Sequence, residues 1–203
     1  MPGIRERLII SLGIMLAAAG LYYRGLLQVF PALIIAVAVH ELSHLLALRL
    51  LRMRVCAIRS EPGGLCIRYE GNCSPAGHAA AAAAGPLGGY LYAFAARLAA
   101  RRLGAEWLAL SGEISLFFSG FNLLPILPLD GGRLFRILCC AALGEEAGGR
   151  FSRAIGDVLM AGMLIAGVML AARRKITAPL SAGIWLLLLQ NDRKPLVKKG
   201  EIL

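Results

Sequence analysis

Leu33-Ile34-Ile35-Ala36-Val37-Ala38-Val39-His40-Glu41-Leu42-Ser43-His44-Leu45-Leu46-Ala47-Leu48 sets two imidazoles and a carboxylate inside an apolar run. Between Arg24 and Arg49 the only charged side chain is Glu41. Histidines four residues apart on a helix share one face, where both rings reach a single Zn²⁺. The intervening glutamate then lies beside the metal as a general base. Composition alone would produce this pattern about 0.002 times in a chain of this length. Ionisable groups in an apolar span are costly and usually mark a working site. The competing reading is a polar cluster that glues helices together.

The rest of the composition agrees with a lipid solvent. The 203 residues are 58% hydrophobic, against roughly 45–50% in soluble proteins, and the mean hydropathy is +0.69. Six apolar segments fall at about 8–23, 26–48, 76–97, 105–128, 152–172 and 176–190, several near the ~20 residues that span a hydrocarbon core. The first is read as a span and not as a signal peptide, because Ala17-Ala18-Ala19-Gly20 runs directly into the second. The expected fold is therefore an all-α integral membrane protein of about six transmembrane helices. The formal charge of +10 does not call for nucleic acid, since the basic residues cluster at the ends of apolar spans. Cys56, Cys66, Cys73, Cys139 and Cys140 contain no CxxC pair. They are read as free thiols.

Between the second and third segments the texture changes. Pro62-Gly63-Gly64 separates Val55-Cys56-Ala57-Ile58 from Leu65-Cys66-Ile67-Arg68-Tyr69, turn residues between β-favouring runs. A short re-entrant β-hairpin after the second span is expected, with a plain loop as the alternative. With a cytoplasmic N-terminus, fifteen of the 22 basic residues lie inside and seven outside. That orientation follows the positive-inside rule.

A catalytic zinc usually takes three protein ligands and keeps one position open. Glu113, Asp130 and Asp157 are the candidates for the third. Asp130 ends the run Phe121-Asn122-Leu123-Leu124-Pro125-Ile126-Leu127-Pro128-Leu129-Asp130-Gly131-Gly132-Arg133. Two prolines break a helix there and the glycine pair relieves the backbone after the carboxylate. Irregular backbone at membrane depth is tolerated where it is buried in protein or lines a wet cavity. Asp130 as a simple helix cap is the competing reading. Gly85 and Gly89 of the third segment make a GxxxG pair and read as tight helix packing. His78 reads as an interfacial or packed histidine.

HExxH in the second span, Gly85-Pro86 in the third, and Asn-x-x-Pro-x-x-Pro-x-Asp-Gly at the end of the fourth resemble the site-2 protease family of intramembrane zinc metalloproteases. The hairpin and six-span layout are most similar to its sporulation branch, which processes the pro-sigma-K precursor. The resemblance implies one Zn²⁺ per chain held by His40, His44 and Asp130, with Glu41 activating water. It implies that Asn122 holds substrate or the oxyanion and that Pro125 and Pro128 shape the broken helix. The hairpin with Gly63 and Gly64 would offer an edge to an unwound substrate strand, and Gly85-Pro86 belongs to the same pattern.

The implied activity is endoproteolysis of a membrane-associated or transmembrane regulatory protein, such as a pro-sigma or anti-sigma factor, near the cytoplasmic face of the cell membrane. The implied partners are that substrate and membrane inhibitor or regulator proteins; the Gly/Ala-rich third segment permits a homo-oligomer. Residues 1–203 read as a single membrane-embedded metalloprotease domain with its core at about 26–133, lacking PDZ and nucleotide-sensing modules. Position 89, where the family often carries Asn, is Gly. The alternative function is an inactive adaptor that binds client helices; an ion transporter is disfavoured by the lack of paired inverted repeats.

Overall fold

The computed structural model describes residues 29–61, 64–70, 74–174, 183–184 and 186. The first apolar segment, 8–23, lies outside the described residues, as does nearly all of the last, 176–190. Among the described residues, five helices and two paired strands follow in chain order: α1 (Val29–Leu50), β1 (Arg54–Glu61), β2 (Gly64–Glu70), α2 (Pro75–Leu103), α3 (Glu106–Asn122), α4 (Asp130–Leu143) and α5 (Glu145–Arg174). α1, α2 and α3 pack against one another, and α4 bridges from α2 to α5.

Local chemistry accounts for the boundaries. Ser74 caps α2, its hydroxyl accepting from the Gly77 amide at 3.2 Å, and Pro75 takes the first helical position, where its missing N–H is no loss. Gly104 closes that helix in the left-handed region at φ 65°, which suits a residue without Cβ. β1 and β2 pair antiparallel from Arg54↔Glu70 to Glu61↔Gly64, with an irregularity between Val55 and Ala57. Gly64 opens β2, while the turn residues Pro62 and Gly63 lie outside the described residues.

The fourth apolar segment breaks as its two prolines lead one to expect, though earlier than residue 128: α3 ends at Asn122 and 123–129 is irregular. A separate helix, α4, then begins at Asp130. The fifth segment starts seven residues early, at Glu145.

The distribution of side chains is the reverse of a soluble protein's. Where α1, α2 and α3 meet, the interior is made mainly of small and polar residues, while Ile126, Leu129, Met160 and Leu186 form a separate apolar cluster. α1 buries Ala32, Ala36, His40, His44 and Leu48, one every fourth residue. α2 buries Gly77, Ala81, Ala82, Gly85, Pro86, Gly89, Ala93, Ala96 and Ala100, and α3 buries Ser111, Gly112, Ser115 and Ser119. Meanwhile Leu42, Leu46, Leu91, Phe94 and Phe117 face outward, Phe117 at 77% exposure. In lipid, apolar side chains gain nothing by leaving the solvent, so association relies on close backbone approach through small residues. α1 and Glu145–Arg173 of α5 are each long and apolar enough to cross a membrane.

Candidate metal centre

Three donors from two distant stretches converge. His40 and His44 are successive members of the buried stripe of α1, 2% and 5% exposed, and Asp130, at 6%, opens α4. His40 Nε2 lies 2.9 Å from Asp130 Oδ2, His44 Nε2 lies 3.2 Å from the same oxygen, and the two Nε2 atoms are 3.3 Å apart. Ligands at 2.0–2.1 Å on a tetrahedral zinc stand about 3.3 Å from one another. The three atoms therefore form a face of the right size for one such ion. Among the described residues this is the cluster of His, Cys, Asp or Glu able to hold a metal.

The surroundings orient the ligands. His44 Nδ1 donates to Ala81 O on α2 at 2.8 Å, which fixes the tautomer and leaves the Nε2 lone pair for the metal, as an outer partner commonly does. His40 Nδ1 is buried and has no partner among the described residues. Its ring meets Phe118 of α3 edge-on, centroids 5.1 Å apart. Arg133 Nη1 stands 3.6 Å from the second oxygen of Asp130, one turn further along α4.

Asp130 does not cap α4. The cap residue is Leu129, with no side-chain cap bond, so the cap reading is set aside. Glu113 and Asp157 are exposed on α3 and α5 and do not join the cluster. Glu41 is half-buried, one residue past His40. Asn122 is the last residue of α3, its amide donating to Phe118 O at 3.0 Å. Pro125 and Pro128 lie in the irregular stretch that delivers Asp130, and Pro86 is fully buried within α2. His78 sits half-buried in the first turn of α2, away from the cluster.

The glycines carry a role that sequence reasoning missed. A Cβ at Gly85 would collide with His44 Nε2 and stand 2.7 Å from His40 Nε2, so the glycine makes room for the ligands themselves. A Cβ at Gly89 would collide with Ser119 Oγ, and one at Gly88 with Ser43 Oγ. Gly131 and Gly132 are helical, not relaxed backbone. They are needed because Leu123 and the Ile126–Leu127 peptide fold back against the first turn of α4.

A helical bundle with an interior rich in small residues surrounds a His-His-Asp cluster of metal-binding size. Two comparisons with known proteins bear on the chain. Residues 87–166 match the profile of peptidase family M50, a stretch that contains Asn122, Pro125, Pro128 and Asp130 but not His40 or His44. The fold is similar to that of a solved structure described as the site-2 protease from Methanocaldococcus jannaschii. The TM-score is 0.72 at 19% identity, over 97% of this chain and 91% of that one. No curated protein matches the chain in sequence. At that identity the likeness establishes the fold; the profile match and the folded cluster tie Asp130 to the two histidines.

Proposed function

We propose that the chain is a zinc-dependent intramembrane endopeptidase that cuts a membrane-associated or transmembrane regulatory protein near the cytoplasmic face. The observation that carries the reading is the convergence of His40, His44 and Asp130, 86 to 90 residues apart in sequence, inside an interior of small residues. An adaptor that merely captured helices would have no need of these three groups together with Glu41.

His40, His44 and Asp130 hold the ion. Zinc, when bound, supplies a Lewis acid that polarises the scissile carbonyl and makes water acidic near neutral pH. Glu41 takes the proton of the attacking water as the oxygen adds to the carbonyl carbon. It then delivers that proton to the amide nitrogen as the C–N bond breaks. Asn122, at the end of α3, offers its amide to the developing oxyanion or to the substrate backbone. The β1–β2 ribbon offers an open edge on which an unwound substrate pairs before reaching the metal.

The same reading places six spans in the cell membrane, with the N-terminus in the cytoplasm and the hairpin dipping back toward the site. Its support is the two long apolar helices, the inverted interior and the uneven basic residues. His44 then lies toward the cytoplasmic end of α1. The layout favours a client of the pro-sigma or anti-sigma kind, in the manner of the sporulation proteases, with membrane inhibitors as regulators.

The test is Glu41→Gln. The variant keeps stoichiometric zinc by metal analysis and loses at least ~100-fold in cleavage, the usual scale for removing a general base. Comparing membrane and soluble proteomes with wild type and variant identifies the client by a fragment released by the former alone. Unchanged cleavage by Glu41→Gln would refute the mechanism, and wild-type protein without stoichiometric zinc would favour the adaptor.

A further inference from the structure

Two buried side-chain atoms among the described residues have no hydrogen-bond partner: His40 Nδ1 and Ser119 Oγ. Ser119 is wholly buried on the inner face of α3. The other buried serines all use their hydroxyls. Ser111 donates to Leu108 O at 2.8 Å, Ser115 to Gly89 O at 3.0 Å, and Ser152 to Gly149 O at 3.3 Å. A hydroxyl taken from water and given nothing in return loses its full hydration. Such a group asks for an explanation, and an absent ligand is one.

Its position supplies that explanation. Ser119 Oγ fills the space where a side chain at Gly89 would begin. One turn earlier on the same face of α2, Gly85 abuts His40 and His44 Nε2. Four residues of helix advance about 6 Å, so the orphan hydroxyl lies one turn along α2 from the metal-binding atoms. Phe118, the preceding residue, packs on the His40 ring. Asn122 follows three residues later on the face of α3 that Ser119 shares. Because residue 89 has no side chain, the hydroxyl faces the α2 backbone there and no side chain at that position stands over it.

Resting on the peptidase reading, we propose that Ser119 is a substrate-contacting residue whose hydroxyl hydrogen-bonds the main chain of an unwound peptide within two residues of the scissile bond. An extended residue spans at most ~3.3–3.6 Å, so 6 Å along the site corresponds to one or two residues. A peptide unwound in a dry interior brings N–H and C=O groups that need partners. A serine hydroxyl both donates and accepts, so it serves either group.

The experiment uses the full zinc-loaded chain in detergent and two probes read by calorimetry. Acetohydroxamate contacts only the metal region; benzyloxycarbonyl-leucine hydroxamate adds a main-chain amide and carbonyl. Ser119→Ala weakens the leucine probe on the order of fivefold, the range of one net hydrogen bond, and leaves acetohydroxamate and zinc stoichiometry unchanged. Ser119→Cys, which keeps the volume but is a weak donor, behaves the same way. Gly89→Ser combined with Ser119→Ala moves the hydroxyl to the facing helix and restores the leucine probe. If both probes bind wild type and Ser119→Ala changes neither, or changes both alike, the assignment is overturned while the peptidase reading stands. If wild type binds neither, the peptidase reading falls and takes the assignment with it.

Discussion

Replacing Gly85 by alanine adds one methyl group and is expected to disable the metal centre. The added carbon would stand 2.7 Å from His40 Nε2 and from His44 Cδ2, and nearer still to His44 Nε2. Non-bonded heavy atoms settle at ~3.5–4.0 Å, so the His44 ring must retreat from α2 by at least ~0.8 Å. Its anchor, Ala81 O, is also on α2 and accepts from Nδ1 at 2.8 Å. The same retreat stretches that bond to about 3.6 Å, where it no longer counts as one. Losing the outer partner of a metal-bound histidine typically costs 10–100-fold in affinity. Overpacking a tight interior adds 1–3 kcal/mol of strain.

The assay is competition for zinc against a chelating dye in detergent, with Gly162→Ala as the control. Gly162 lies on α5 with nothing within 4 Å of its would-be Cβ, so that variant leaves the metal untouched. A Gly85→Ala protein that binds zinc within twofold of wild type would refute the argument.

Asp130→Asn keeps the shape of the side chain but removes its charge; zinc stoichiometry by elemental analysis is expected to fall well below one while helicity by circular dichroism is retained. Gly131→Ala drives a methyl into the Leu123 carbonyl. It is expected to destabilise by the 1–3 kcal/mol of overpacking and lower cleavage with it, whereas Gly149→Ala, in open space, does neither. Arg52, after the end of α1, holds φ at 56°, a conformation costing a residue with a Cβ roughly 1–2 kcal/mol. Arg52→Gly is therefore expected to raise the thermal unfolding midpoint.

The chemistry-bearing residues were the legible part of this chain. A histidine pair with a glutamate in an apolar run, and a carboxylate after two prolines, stand out because lipid makes polar groups expensive. The pairing of β1 with β2 was legible in the two β-favouring runs on either side of Pro62-Gly63-Gly64. Helix α4 entered only through the competing reading of Asp130 as a cap, because its two arginines read as topology markers in a short element with no span-length apolar run. Gly85 and Ser119 were hidden for a different reason. In a membrane interior of Gly, Ala and Ser, small residues signal close approach without saying to what. Only the folded arrangement distinguishes a glycine packed on a helix from one packed on an imidazole.

The 90-residue separation of His40 and Asp130 means that a metal ion held by this cluster would fasten an early helix to a late one. Whatever free energy the metal gains on binding is paid into holding α4 against α1, since neither stretch alone carries all three donors. A ligand at a thousand times its dissociation constant adds about 4 kcal/mol to the state that binds it. Thermal resistance of this fold should therefore track zinc concentration, and chelation should loosen the α1–α4 junction before it melts the helices themselves.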